Sequence, residues 1–392
     1  MDTCCVDCGR LPAVAHLSQF AGADGVSECH LTVRPTAYAS IESQLDVTLQ
    51  AYHNALDFLG LNRDTAVLRR FFCSDVANQA GALEARPFAN PRDTEAPCAV
   101  SWVGQAPAPP AKVALWAYHL RDAAGPLTKT LDDHTVTLRR GDLTHHWTTG
   151  VVQPDAESSY DQTLGILAQY EDTLRGRGLS LAEDVVRTWL FVRDIDTHYQ
   201  GMVKARREIF AERGLTAATH FIASTGVEGQ AAQPGALVSM DAHAMSGLRP
   251  GQVAFLAAPK HLSPTHIYGV TFERGATISY RDRRHVLISG TASIDEDGHI
   301  LHLGDVGRQL DRALENIAAL LQEGGATFED VGAFIVYVRD PSDLVTAEQQ
   351  MRARFGHTPM TVVVGPVCRP GWLIEVECEA VVAASSPEMP RF

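Results

Sequence analysis

One arrangement recurs three times along this 392-residue chain. A glutamine opens an amphipathic stretch, and a β-rich run behind it ends in aspartate. The pairs are Gln44 and Asp75, Gln162 and Asp194, and Gln309 and Asp340, separated by 31, 32 and 31 residues. Spacing held that closely implies one supersecondary unit used three times. It also directs the search for a site to the places where diverged residues of two units can meet.

The third unit is the most readable. Residues 286–294 form an apolar, β-branched run, and Asp295, Glu296, Asp297 and Gly298 carry hairpin-turn chemistry. Asp305 is placed to cap a helix. Behind it Val306, Leu310, Ala313, Leu314, Ile317, Leu320 and Leu321 fall at helical spacing, and Gly324 and Gly325 stop it. Residues 334–338 read as a buried strand, Asp343 opens a second helix ending near Phe355, and strands close the unit at 361–364 and 372–382. The predicted order is ββαβαββ, with two helices on one face of a mixed sheet, an α+β design. The middle unit repeats it: a hairpin near 146–152, helices at 160–175 and 199–213, and strands at 185–192 and 237–244. In the first unit a helix spans 41–59 and strands follow at 66–73 and 112–119. Its Pro- and Ala-rich stretch 84–110 reads as loop, and 245–264, with Gly and Pro, reads as a linker. The expected domains are residues 1–125, 126–250 and 265–385.

Composition removes several classes. A formal net charge of −14 supplies no basic footprint for nucleic acid or an anionic membrane. No run approaches the ~20 apolar residues of a membrane span, and no basic segment followed by an apolar core opens the chain. A cytoplasmic protein is expected. Of eight cysteines, Cys4, Cys5 and Cys8 cluster, but without a second ligand pair at zinc-finger spacing. The others sit in apolar, β-like contexts that suit core thiols. The histidines show no H-E-x-x-H pattern, and no phosphate loop or dinucleotide fingerprint is present. No metal and no cofactor are expected.

Several runs resemble the YjgF/Rid (RidA-like) superfamily: Ile288-Ser-Gly-Thr-Ala-Ser-Ile294, His302-x-Gly-Asp305-x-x-x-Gln309, Asn316, Tyr337-Val-Arg-Asp340 and Leu373-Ile-Glu-Val-Glu377. The resemblance implies a chorismate-mutase-like fold whose active sites lie between neighbouring subunits of a trimer. Three units in one chain would then make a pseudo-trimer, as a monomer or a homodimer. Within that superfamily the chain looks most like the chorismatases, which split the enol-pyruvyl ether of chorismate. The matching residues are Arg187-Thr-Trp189, Tyr199 with Arg206 seven on, Ala223-Ser-Thr-Gly226, Cys368-Arg369, and Glu375 six beyond that arginine. Imine deaminases of the superfamily carry an arginine about fifteen residues before the strand glutamate, where this chain has Met360. Between Gly-Thr-Ala-Ser-Ile294 and the Gly298-His299 pair, Asp295-Glu-Asp297 intervenes where chorismatases have no insertion.

Glu375 is the first candidate for catalysis. In the closing strand Ile374, Val376, Cys378, Ala380 and Val382 alternate with Leu373, Glu375, Glu377 and Glu379, so one face carries three carboxylates. A solvated strand face would show the same pattern. Turned toward a neighbouring unit and desolvated, Glu375 would have a raised pKa and serve as general acid to an enol-ether methylene or an enamine carbon. Arg187, Arg206, Arg339 and Arg369 are candidates to clamp substrate carboxylates, with surface ion pairs as the ordinary alternative. Thr225, Gly226, Ser289 and Gly290 are small residues that let backbone amides approach a ligand, or that let strand ends pack. Tyr199 either bonds substrate or packs its helix, and packing is the simpler role for Cys368. The leading expectation is hydrolysis of chorismate or a related carboxylated enol ether, centred between the middle and third units. An imine or enamine hydrolase, or a non-catalytic small-molecule binder, are the alternatives.

Overall fold

The computed structural model describes residues 1–392, the side chain of Tyr268 excepted. Unit one contains strands β1 (Asp2–Val6), β2 (Ala13–Ala21) and β3 (Val26–Pro35), then helix α1 (Ile41–Leu59), β4 (Ala66–Cys73), α2 (Val76–Glu84), β5 (Ala99–Gly104) and β6 (Val113–Asp122). Unit two follows with β7 (Thr128–Asp132), β8 (Thr135–Arg140), β9 (Leu143–Val152), α3 (Ser159–Arg175), the single turn α4 (Leu181–Asp184), β10 (Val185–Val192), α5 (Ile195–Glu212), β11 (Ala223–Glu228) and β12 (Val238–Ser246). Unit three has β13 (Val253–Leu256), β14 (Gly275–Ser279), β15 (Arg283–Ala292), α6 (Val306–Glu323), β16 (Val331–Val338), α7 (Leu344–Phe355), β17 (Met360–Val364) and β18 (Ile374–Ala383).

Each unit is one six-stranded mixed sheet, and the strand order is the same in all three: β1-β2-β3-β6-β4-β5 in the first. Only the β4–β5, β10–β11 and β16–β17 pairs are parallel. Three expectations change. Each unit begins with one strand more than predicted, giving βββαβαββ. The stretch 84–110 contains β5, whose short apolar run was masked by Pro and Ala on either side. The stretch 245–264 is not a plain linker, because β13 lies in it and pairs with β14. The turn after Ile294 closes only a single bridge, Ile294 to Ile300, so the sheet extends backward through β14 instead.

The recurring glutamine has one structural task in all three units. Gln44 Nε2 donates to the carbonyls of Ala37 and Pro110, while its Oε1 accepts from Lys112 N. Gln162 bonds in the same way to Ala156, Gly235 and Leu237, and Gln309 to His302, Gly371 and Leu373. In each case a buried amide pins the helix start to the loop that enters the closing strand. Those loop groups have no strand partner and would otherwise be desolvated and unsatisfied. The three-bond requirement fixes both residue type and position, which is why the spacing persists where the rest has diverged.

The sheets bury both faces. One covers the unit's own helices: α6 turns Leu310, Leu314, Ile317 and Leu321 onto β15 and β18, with Asp305 capping its first turn. The other faces a central core shared by all units, where Trp116 and Tyr118 meet Trp147 and Trp189, and Tyr280 and Tyr337. Two-sided burial explains why all eight residues of β4, β10 and β16 are buried, with no polar alternation. Each interface between units carries one buried ion pair: Arg70–Asp241 at 2.8 Å, Arg187–Glu377 at 2.6 Å and Arg283–Glu28 at 2.7 Å. Among the described residues no helix is long and apolar enough to cross a membrane.

Candidate active site

Strand pairing aligns the three units residue by residue. Glu375 on β18 lies opposite Tyr337, Ser239 on β12 opposite Phe191, and Ala114 on β6 opposite Phe72. Each of these three residues lines a different cleft between units. A carboxylate is present at this position only in the cleft joining units two and three.

That cleft encloses about 40 Å³. Unit two contributes Tyr199 and Arg206 from α5, with Ser224 and Gly226 from β11, and unit three contributes Arg274, Gly290, Cys368, Arg369, Trp372 and Glu375. Seven residues expected from the sequence therefore meet in one place: Tyr199, Arg206, Gly226, Gly290, Cys368, Arg369 and Glu375. Three guanidinium groups share the lining. Arg206 is buried and donates through Nε to Thr271 Oγ1 at 3.2 Å; burial lowers its pKa. Arg274 sits over the Phe272 ring at 5.3 Å and donates to Ser263 O at 2.7 Å, and Arg369 sits over Trp372 at 5.0 Å.

Glu375 is 6% exposed. Its pKa is raised from 4.5 to about 8, first by burial and then by the neighbouring charge of Glu377, against the opposing pull of Arg274 and Arg187. It therefore carries its proton at neutral pH. The room for it depends on Gly290, because a Cβ there would lie 2.0 Å from Glu375 Oε1 and 3.0 Å from Thr225 Cγ2. The Cys368 thiol is pushed up to about 12, chiefly by burial and by Glu375, although a hydrogen bond with Tyr199 acts the other way. It is a neutral thiol rather than a nucleophile.

Four expected clamp or contact residues belong elsewhere. Arg187 is committed beneath the cleft: Nη2 donates to Glu377 Oε2 at 2.6 Å and Thr225 Oγ1 at 2.7 Å, and Nη1 to Ser289 Oγ at 3.0 Å. Glu377 also accepts from Trp189 Nε1 at 3.0 Å, Tyr337 OH at 3.0 Å and Thr225 Oγ1. Thr225 Oγ1 accepts from Gly290 N at 2.8 Å, and Ser289 Oγ from Ser224 N at 3.0 Å. Arg187, Thr225 and Ser289 thus form a supporting layer that fixes Gly290 and the charge behind Glu375. Arg339 pairs with Asp196 at 2.8 Å near the surface and donates to Val367 O, outside the cavity. Val270, Phe272, Arg274 and Trp372 line the cleft without having been singled out in the sequence, and Ser224 lay within the matched run Ala223–Gly226 with no role assigned.

The expected counterpart of the deaminase arginine also moves. Counting fifteen back from Glu375 gives Met360, but Met360 is on β17 and lines the cleft between units three and one. The residue that faces Glu375 from the equivalent strand is Ser224 on β11: Thr225 pairs with Trp189 as Thr361 pairs with Ile335.

A buried carboxyl with a raised pKa, lined by three arginines, thus lies between two units of one pseudo-trimeric chain. Residues 277–382 match the family model described as Endoribonuclease L-PSP. The chain is 30% identical over 96 residues to a RutC family protein of Pyrococcus abyssi, 24% of this chain and 76% of that protein. It is 31% identical over 64 residues to the 3-aminoacrylate deaminase RutC of Acinetobacter baylyi, 16% of this chain and 51% of that one. A crystal structure of a chorismatase superposes with a TM-score of 0.60 at 21% identity, covering 81% of this chain and 93% of the other. The chain belongs to the YjgF/Rid (RutC) family, and its fold is that of the chorismatase.

Proposed function

We propose that the protein hydrolyses a small carboxylated enol ether of the chorismate class, with Glu375 as proton donor. The observation that carries this reading is the neutral Glu375 carboxyl beside Gly290, within a lining of three arginines. Protonation of the enol methylene by Glu375 forms the new C–H bond and leaves an oxocarbenium centre. Water adds to that carbon, and the resulting hemiketal collapses to pyruvate and the free alcohol, returning a proton to the glutamate. Arg206, Arg274 and Arg369 hold the carboxylates so that the methylene reaches the acid. An acid poised near 8 matches the operating pH of such a step. Similarity to the chorismatase fold supports this substrate class.

A second reading is favoured by the cavity volume. About 40 Å³ suits a ligand far smaller than chorismate, and the Acinetobacter relative is named a 3-aminoacrylate deaminase. The same proton delivered to an enamine carbon gives an iminium that water converts to a carbonyl and ammonia.

The deciding experiment incubates the purified chain with chorismate, isochorismate and enzymatically generated 3-aminoacrylate, measuring pyruvate and ammonia. Pyruvate from chorismate, abolished in Glu375→Gln, supports the first reading. Accelerated ammonia release from aminoacrylate alone supports the second. Turnover of neither class above the Glu375→Gln background refutes both.

A further inference from the structure

The strand register that singles out the candidate active cleft also shows what remains in the cleft between units three and one. Ala114 stands in place of Glu375 there, so the acid is absent. The guanidinium is not. Arg352 lies twelve residues beyond Asp340, just as Arg206 lies twelve beyond Asp194, and it lines this cleft as Arg206 lines the other. His16 replaces Arg274: each precedes the residue paired with Leu31 or with Ile288. Thr361 holds the place of Thr225, and Thr32 that of Ser289.

The cleft encloses about 240 Å³, several times the volume of the candidate active cleft. Arg352 Nη1 donates to the carbonyls of Gly356 and Thr358, both at 2.9 Å, which fixes the side chain. Its Nη2 lies 3.3 Å from His16 Nδ1. Arg34 is the second cation and pairs with Glu348 at 2.8 Å. Two guanidinium groups against one carboxylate leave an excess of positive charge, since the buried His16 is held neutral by burial and by Arg352. Burial and Arg34 lower the pKa of Arg352 to about 10, against the pull of Glu348, so its guanidinium keeps its charge at neutral pH. Thr32 is buried against the cleft, and its hydroxyl has no partner among the described residues. Ligand atoms of Cys5, His16 and His357 also approach within 4.8 Å of one another. A guanidinium against His16 opposes a divalent cation there and favours an anion.

We propose that this cleft binds a small carboxylate through Arg352, Arg34 and Thr32 and leaves it chemically unchanged. The proposal does not depend on which substrate the candidate active cleft turns over. The test is isothermal titration of the full chain with pyruvate at low salt. The proteins compared are the wild type, Arg352→Met, Arg34→Met and Arg206→Met, each checked for a cooperative thermal transition. The expected result is a pyruvate affinity reduced at least tenfold by Arg352→Met, the scale of one lost charge-assisted contact. Arg34→Met reduces it severalfold, and a pyruvate site survives in Arg206→Met. Should Arg352→Met fail to fold, the half-buried Arg34 decides, because its loss breaks only a surface-facing pair. Undiminished pyruvate binding in both arginine variants overturns the proposal. Complete loss in Arg206→Met, or no heat from the wild type at millimolar pyruvate, overturns it as well.

Discussion

Replacing Glu375 with glutamine removes an ionisation while keeping size and hydrogen-bonding shape, so its main consequence is a change in pH dependence. The folded carboxyl titrates at about 8, against 4.5 for the ordinary group. Between those values the native state retains a proton that the unfolded chain has lost. The unfolded state then binds fewer protons, and stability must fall as pH rises through this window. At about 1.36 kcal/mol per pH unit, the wild type loses about 3 kcal/mol relative to Glu375→Gln between pH 4.5 and pH 7. The loss levels off above about 8, once the native carboxyl has also ionised. Two other displaced carboxyls do not confuse the comparison. Glu379, raised to about 7 mainly by burial, slopes the same way in both proteins and cancels. Glu28 is desolvated yet held at about 2 by His285, Arg283 and Tyr118; its contribution disappears only as pH falls from 4.5 toward 2, outside the window.

The measurement is urea unfolding followed by tryptophan fluorescence at several pH values. The variant should gain on the wild type steadily with pH. Parallel stability curves would falsify the claim that Glu375 is protonated at neutrality. Catalysis offers an independent reading of the same group. The wild type's kcat/KM should be level on the acid side and fall tenfold per pH unit above about 8. Glu375→Gln should lose roughly 10²–10⁴-fold in rate, the usual range for a positioned acid.

Gly290→Ala should disable the site without unfolding the protein. The added methyl must displace Glu375 or Thr225, at a cost of about 1–3 kcal/mol, so steady-state assays should show kcat reduced with only a modest loss of melting temperature. Glu377→Gln leaves Arg187 buried without its counter-charge, which should destabilise by about 3–5 kcal/mol in chemical denaturation. In whatever folded protein remains, it should also move the alkaline limb of the pH–rate curve to lower pH; an unmoved limb would separate Glu377 from the tuning of Glu375. Gln309→Ala deletes three backbone contacts of about 1 kcal/mol each, and Gln44→Ala and Gln162→Ala should match it in calorimetry. Light scattering should give a mass of one or two chains of 42.5 kDa, since the three units already complete the ring; a stable trimer of chains would contradict that.

The parts of this structure legible in the sequence are those where one physical requirement acts repeatedly. The glutamine spacing was visible because the same three backbone groups need the same amide in every unit. Helix α6 was readable from its apolar stripe, its aspartate cap and its glycine stop. Strand β5 was not, since a short edge strand between Pro-rich segments has neither length nor alternation to announce it. The candidate site divides the same way. Glu375, Glu377 and Glu379 alternate correctly to share one strand face, but alternation cannot say which neighbour each meets. Glu375 meets Gly290 in the cleft, Glu377 meets Arg187 beneath it, and Glu379 lines the central cavity. Arg274 carried no sequence signal of a site because it precedes β14, a strand that was not predicted. Its one local mark was a charge pair, Glu273-Arg274, immediately before the alternating run Gly275–Ser279.

Joining three units in one chain changes what each interface is free to become. In a trimer of identical subunits, a residue that serves a site appears in all three clefts, so the acid, its glycine and its buried counter-charges are constrained together. Here the three interfaces keep the common need for a buried arginine–carboxylate pair, yet meet it from different positions. Arg70 lies in register with Trp189, opposite Asp241 in its partner strand, while Arg187 lies in register with Leu68. Arg283 comes from a different strand altogether. Once cohesion is secured at each interface separately, the residue at the Glu375 position is released in the other two clefts. There it has become serine beside a cavity of about 630 Å³ and alanine beside one of about 240 Å³. The persistence of Arg352 next to that alanine is therefore informative. With alanine at that position Arg352 has no acid beside it to serve, whereas a half-buried guanidinium is costly to keep unless an anion answers it.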